Sequence, residues 1–276
     1  MYTDPSGYAW WYWGLVLDFL TCGGTSLTLA VTAVATAVTA TTTAVATITW
    51  VSGTALTFAG VASSIDNGVI SIGSIFKGSD WGRNRYVNHM QLINGLFKTD
   101  EKLSNWGQAG QLISRFTWEG IQTFVGYGYS MTRNFSGNVD RVDYLGGATF
   151  ATNENSSKWD GITLGNYINI NIPHEITGDF KTYATTIEAM YMHEYGHYLD
   201  GQYWGPSYLF AIGIPSIISA NNNKGTNYLP FDTHSKYWTE TRANRRAAKY
   251  FGKYYDVNWN SIYKEYYTIE DLYPTK

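Results

Sequence analysis

The chain has 276 residues, enough for one or two domains with a buried core. Its formal net charge of -3 gives no general attraction to phosphate backbones, so no nucleic-acid partner is expected. Cys22 is the lone cysteine, which excludes an internal disulfide framework and a cysteine-rich zinc ribbon.

In chain order, residues 1–18 begin "MYTDPSGYAWWYWG" and lack the positive region and small-residue cleavage site of a secretory signal. Residues 19–78 form an apolar segment that is expected to be helical. Its stretch from Phe19 to Ser64 holds no charged residue and is dominated by Ala, Thr and Val. Its length permits a membrane span, while its many hydroxyls and β-branched residues suit a packed soluble hairpin, and both readings stay open. Residues 79–276 read as an ordinary globular domain, with helical apolar spacing at 84–98 and 110–131.

A β region follows. "VDYLGGATFAT" (142–152) and "GITLGNYININI" (161–172) alternate apolar and polar residues around the turn "NENSSKWD". Ile168, Ile170 and Ile172 share one face and Tyr167, Asn169 and Asn171 the other. A peptide adding to this strand would find Asn169 and Asn171 outward. The next helix is expected to start at a capping box, Thr185 with Glu188, and to stop at Gly201. Residues 205–220 suggest a kinked core helix, and 236–252 a last helix ending at Gly252. The basic run 241–253 on that helix reads as a solvated face.

"HEYGH" (193–197) carries the chemistry. Residues four apart on a helix differ by about 40° of rotation, so the His193 and His197 imidazoles project from one face toward a shared divalent ion. Glu194, about 100° round from His193, stands beside the attacking water as general base. H-E-x-x-H on a helix is the pattern of zinc hydrolases, and Zn2+ is the expected cofactor. Tyr191, Tyr195 and Tyr198 on the same helix read as packing residues.

A catalytic zinc needs a third protein ligand and an open position. The metzincin extension fails, because Asp200 and Tyr203 stand where its Gly and third His belong. The G-T-x-D pattern fails at Tyr228. A glutamate followed by x-x-Ala-Asn does occur, in "ETRAN" (240–244). Glu240 is therefore the expected third ligand, with Asp232 and His234 as rivals, and Asn244 is placed to accept a hydrogen bond from a ligating histidine. For the oxyanion donor, the sequence offers Tyr208 and His234 without choosing between them.

"YTDPSGYAWW" resembles the end of the Rhs/YD-repeat core. Residues 110–260, including "RFTWEGIQTFVGYGYSM", "MYMHEYGHYLDGQYWG" and "YWTETRANRRAAKYFG", are similar to C-terminal domains of Rhs-associated bacterial proteins. That resemblance implies a toxin or effector tip of a longer protein, delivered into a target cell by a secretion system and matched by a cognate immunity protein. The combined expectation is an α+β, mainly helical, zincin-like metallopeptidase domain that acts on a protein or peptide. A membrane-inserting or translocation module led by residues 19–64, with a structural zinc, is the alternative.

Overall fold

A computed structural model describes residues 40–222, 233–264 and 267–276. The expected core signature at 1–18, Cys22, residues 19–39 and Asp232 lie outside the described residues. By compactness the chain divides into two units, Met1–Leu56 and Thr57–Lys276, and the second holds every element after the first described helix.

The described residues are α+β. Helix α1 (Ala40–Lys77) ends at Gly78, whose φ of 95° breaks the spiral before α2 (Ser79–Gly95). The single helix expected over 110–131 is instead two, α3 (Asn105–Phe116) and α4 (Gly120–Phe135). Thr117 leaves helical geometry between them, and the amide of Glu119 bonds back to the Ser114 carbonyl at 2.7 Å.

Two hairpins make the sheet. Strands β1 (Arg141–Leu145) and β2 (Ala148–Asn153) turn at Gly146 and Gly147, both with positive φ, as a two-residue hairpin requires. Strands β3 (Asp160–Leu164) and β4 (Tyr167–Asn171) turn at Gly165 and Asn166. The order is β1-β2-β4-β3, with β2 and β4 parallel and the other pairs antiparallel. Thus β4 is interior and β3 forms an edge.

The expectation that Asn169 and Asn171 face outward is not met, because helices cover both faces of the sheet. Asn169 donates to Ser130 on α4 at 2.9 Å, and Asn171 accepts from Arg133 on the same helix at 2.7 Å. The two asparagines are 1% and 7% exposed. A polar alternation on a sheet covered on both sides marks internal hydrogen bonding, not a wet face.

On the opposite face Phe150, Ile168 and Ile170 pack against α6 (Met190–Trp204), the helix that carries HEYGH. This core is unusually rich in tyrosine. Tyr191, Tyr195 and Tyr198 are packing residues, as the sequence suggested, and each hydroxyl finds a partner: Thr152, the Gly146 carbonyl and Gln111.

The start of α6 differs from expectation. Asp179 caps a short turn, α5 (Phe180–Thr182), which runs into a wider π-type turn over Tyr183–Ile187. Thr185 lies inside that turn and donates its hydroxyl to the Lys181 carbonyl, while Glu188 is extended, so no capping box forms. At the far end α6 passes Gly201 and stops at Gly205, whose φ is 50°. After irregular turns and α7 (Ile214–Asn222) comes α8 (Trp238–Tyr255), which passes Gly252 and ends on the left-handed residue Asp256. A small hairpin, β5 (Ile262–Lys264) and β6 (Tyr267–Thr268), leads into α9 (Ile269–Leu272).

One buried charge joins separate stretches of the domain. Arg115 is 1% exposed and donates to the carbonyls of Leu96 (2.9 Å) and Gly147 (2.8 Å), tying the end of α2 to the first hairpin. Glu119, nearby, is fully buried. Burial pushes its carboxyl up to about 7, against the downward pull of the Ser114 hydroxyl and Arg115. Because the folded pKa lies above the unfolded one, the unfolded chain gives up its proton first as pH rises. Stability from this group therefore falls between about pH 4.5 and 7, by up to about 3 kcal/mol, and then levels off. Urea unfolding of Glu119→Gln should show its stability relative to the native chain rising between about pH 4.5 and 7 and then holding level. A difference that does not change with pH would contradict this.

Candidate metal centre

The site is made where α6 meets α8, the most extensive packing between any two described elements. Gly196 makes the approach possible. A Cβ at this position would stand 2.1 Å from the Ala243 carbonyl oxygen, a backbone atom that cannot turn aside. With that glycine, one face of α6 lies directly on one face of α8. His193 and His197 then point at Glu240, in the first turn of α8.

The three donor groups converge. Nε2 of His197 lies 3.0 Å from Oε2 of Glu240, and Nε2 of His193 lies 3.3 Å from the same oxygen. The donor atoms of all three residues lie within 4.8 Å of one another. Ligands about 2.1 Å from a tetrahedral zinc stand roughly 3.4 Å apart, so the two measured edges match such a polyhedron to within a few tenths of an ångström. The two imidazole planes are nearly perpendicular, at 89°, which lets both nitrogens aim at one point. A His, His, Glu donor set suits zinc by chemistry as well as spacing.

Electrostatics alone would call for a cation here. Glu240 is 1% exposed, and its other oxygen accepts from the Thr239 hydroxyl at 2.8 Å. Burial works to raise its pKa, but the two imidazoles overrule burial and hold it well below the usual carboxylate range. Burial likewise works to lower His197, and the facing carboxylate lifts it to about 9 instead. Without a metal a proton sits between these groups; a divalent ion would take that proton's place.

Glu194, whose charge also acts on His197, is held by the sheet. The Thr163 hydroxyl on β3 lies 2.6 Å from its Oε2 and 3.0 Å from its own backbone carbonyl. Gly161, two residues earlier on β3, leaves room for the second oxygen, since a Cβ there would stand 2.5 Å from Oε1. Thr163 and Gly161 therefore hold and accommodate the expected base, and sequence reasoning named neither. Only the position of β3 just ahead of the motif hinted at them.

Asn244, one turn beyond Glu240, lies with Oδ1 2.6 Å from Nδ1 of His193. Of the rival ligands, His234 stands 3.8 Å from Oε2 of Glu240 and 3.1 Å from the Ser219 hydroxyl, but the set of mutually close donors does not include it. Tyr208 is buried beside the site. Burial first, then the charges of Asp200, Glu194 and Glu240, push its hydroxyl far up. The basic run on α8 is only partly a solvated face, because Arg242 (2.8 Å) and Arg246 (2.5 Å) both pair with fully buried Asp200 on α6. Those pairs clamp the two helices one turn beyond His197.

Comparisons with protein-family models, curated proteins and solved structures return no match.

Because the α6–α8 approach sets the ligand distances, Gly196→Ala should cost about 3 kcal/mol in thermal or urea unfolding, the upper end of overpacking penalties. Any folded fraction should bind zinc at least about 10-fold more weakly than the native chain. Unchanged stability and affinity would show that the contact does not govern the site.

Proposed function

We propose that this chain is a zinc-dependent peptidase of the gluzincin-like kind, with His193, His197 and Glu240 as metal ligands and Glu194 as general base. The observation that carries the reading is the joint arrangement: three converging donors, no fourth in the mutually close set among the described residues, and a carboxylate held beside them by the edge strand. A site built only for structure closes its fourth position with protein; a site for catalysis keeps it open.

Bound zinc would polarise a scissile carbonyl and bring the pKa of water toward neutrality. The chain's own residues supply the rest. Glu194, held by Thr163, takes a proton from the attacking water and passes it to the leaving amine. Asn244 holds His193. Tyr208 and His234 stand beside the site as candidate donors to the developing oxyanion. Strand β3, with its outer edge outside the sheet's pairing and Thr163 on Glu194, offers main-chain groups to an extended peptide. This edge, rather than Asn169 and Asn171, is the surface on which a substrate would lie.

In the wider setting, we read the domain as the effector or toxin tip of an Rhs-type protein. It would be exported as part of that longer chain and neutralised by an immunity protein. The support for this part is the sequence resemblance at residues 1–14 and 110–260.

A second reading has its own observation. Along α1, Val61, Ile65, Val69, Ile72, Ile75 and Phe76 are exposed and fall within about 120° of arc, while Asp66 and Ile70 turn inward. By length and composition, Gly53–Lys77 is the helix among the described residues that could cross a membrane. A membrane-active module would cause dye leakage from liposomes that survives Glu194→Gln and vanishes when residues 1–78 are removed.

The peptidase reading makes the opposite demand. With a fluorogenic peptide library as probe, Glu194→Gln should keep stoichiometric zinc and lose at least about 100-fold in turnover. His193→Ala should lose both the metal and the activity. Native protein purified without zinc, or a Glu194→Gln variant as active as the native chain, would refute the proposal.

A further inference from the structure

His193 is braced from the far side by the segment that follows α9. This segment is firmly anchored. Thr268 and Asp271 form a capping box at α9, Ile269 and Leu272 are 3% and 4% exposed, and the Trp259 indole donates to the Tyr273 carbonyl at 2.9 Å. Further on, Thr275 donates its amide (2.9 Å) and hydroxyl (3.0 Å) to Oε1 of Glu270 and accepts from Arg245 on α8. From that base two contacts reach the site. The Tyr273 ring lies across the His193 imidazole, with centroids 5.1 Å apart and planes 31° from parallel. The Pro274 carbonyl accepts from Nδ2 of Asn244 at 2.9 Å.

The second contact has chemical consequences. A backbone carbonyl can only accept, so Asn244 must turn its NH2 toward Pro274. Its oxygen then faces Nδ1 of His193 and, being only an acceptor, requires the imidazole proton to sit there. The lone pair is left on Nε2, the nitrogen that faces Glu240. If Asn244 were reversed, its NH2 would meet Nδ1 and drive the proton to Nε2, where no metal could bind.

We propose that residues 273–275 form a positioning device for the metal centre, setting the tautomer of His193 through Asn244 and its ring plane through Tyr273. The inference rests on the metal reading above. It makes these residues part of the machinery for metal retention, although none of them touches the metal.

The test measures zinc affinity by competition with a chromophoric chelator, with thermal unfolding of zinc-free protein as the control for folding. Deleting residues 274–276 and, separately, Tyr273→Ala should each weaken zinc binding by about 10- to 100-fold, the usual effect of removing support behind a ligand. Tyr273→Phe keeps the ring and should bind like the native chain. Asn244→Asp separates tautomer control from mere stability. A carboxylate accepts at both oxygens, so it holds the proton on Nδ1 with or without Pro274, and in that background the deletion should cost several-fold less than in the native chain, the remainder being what Tyr273 loses with its Thr275 anchor. Native affinity in the deletion and in Tyr273→Ala overturns the proposal, as does a deletion that costs the same whether or not the chain also carries Asn244→Asp. Failure of the native chain itself to take up zinc would overturn the metal reading and this inference together, and so is distinguishable from a failure of the inference alone.

Discussion

The contact between Gly196 and the Ala243 carbonyl is the constraint on which the rest of the site depends. With any side chain at 196, α8 would be held away from α6 by backbone-to-Cβ repulsion. The 3.0 and 3.3 Å separations between imidazole nitrogens and carboxylate would then open. The surroundings reinforce the same approach. Asp200 receives two arginines from α8, and Tyr195 packs on Tyr250 and Phe251. The sheet beneath supplies what the two helices lack, a hydroxyl from β3 that holds Glu194 to one side of the donor cluster.

This arrangement also accounts for the charge that the site tolerates. A carboxylate as buried as Glu240 is costly unless a cation neutralises it. The same is true of Asp200, yet the two are resolved differently. Asp200 has guanidinium groups, which cannot exchange their charge for a metal, and so serves as a clamp. Glu240 has imidazoles, which can give up a proton and bind a divalent ion with the same nitrogen. The difference in partner, on neighbouring turns of one helix pair, separates a structural ion pair from a candidate metal centre.

How much of this could be read in the sequence follows from the range of each interaction. The spacing of His193 and His197 is local to one helix, so it was legible, and the motif around Glu240 brought in Asn244. The tyrosines at 191, 195 and 198 were legible as packing for the same reason. Thr163 and Gly161 were not, since their role depends on which strand becomes the sheet edge. Asn169 and Asn171 misled because alternation shows that two faces differ without showing whether the polar face is covered by α4. The Thr185–Glu188 pattern misled because the Lys181 carbonyl competes for the Thr185 hydroxyl within a π-type turn. The contribution of Tyr273 and Pro274 was out of reach, as it joins residues far apart in the chain through one backbone carbonyl and one ring contact.

Everything proposed for the site requires that this cluster hold zinc with an open position. X-ray absorption at the zinc edge on purified native protein tests it most directly. The expected result is one zinc per chain, bound by two imidazoles, one carboxylate and one light atom from solvent. Absence of zinc would contradict it, as would a first shell closed by a third imidazole from His234.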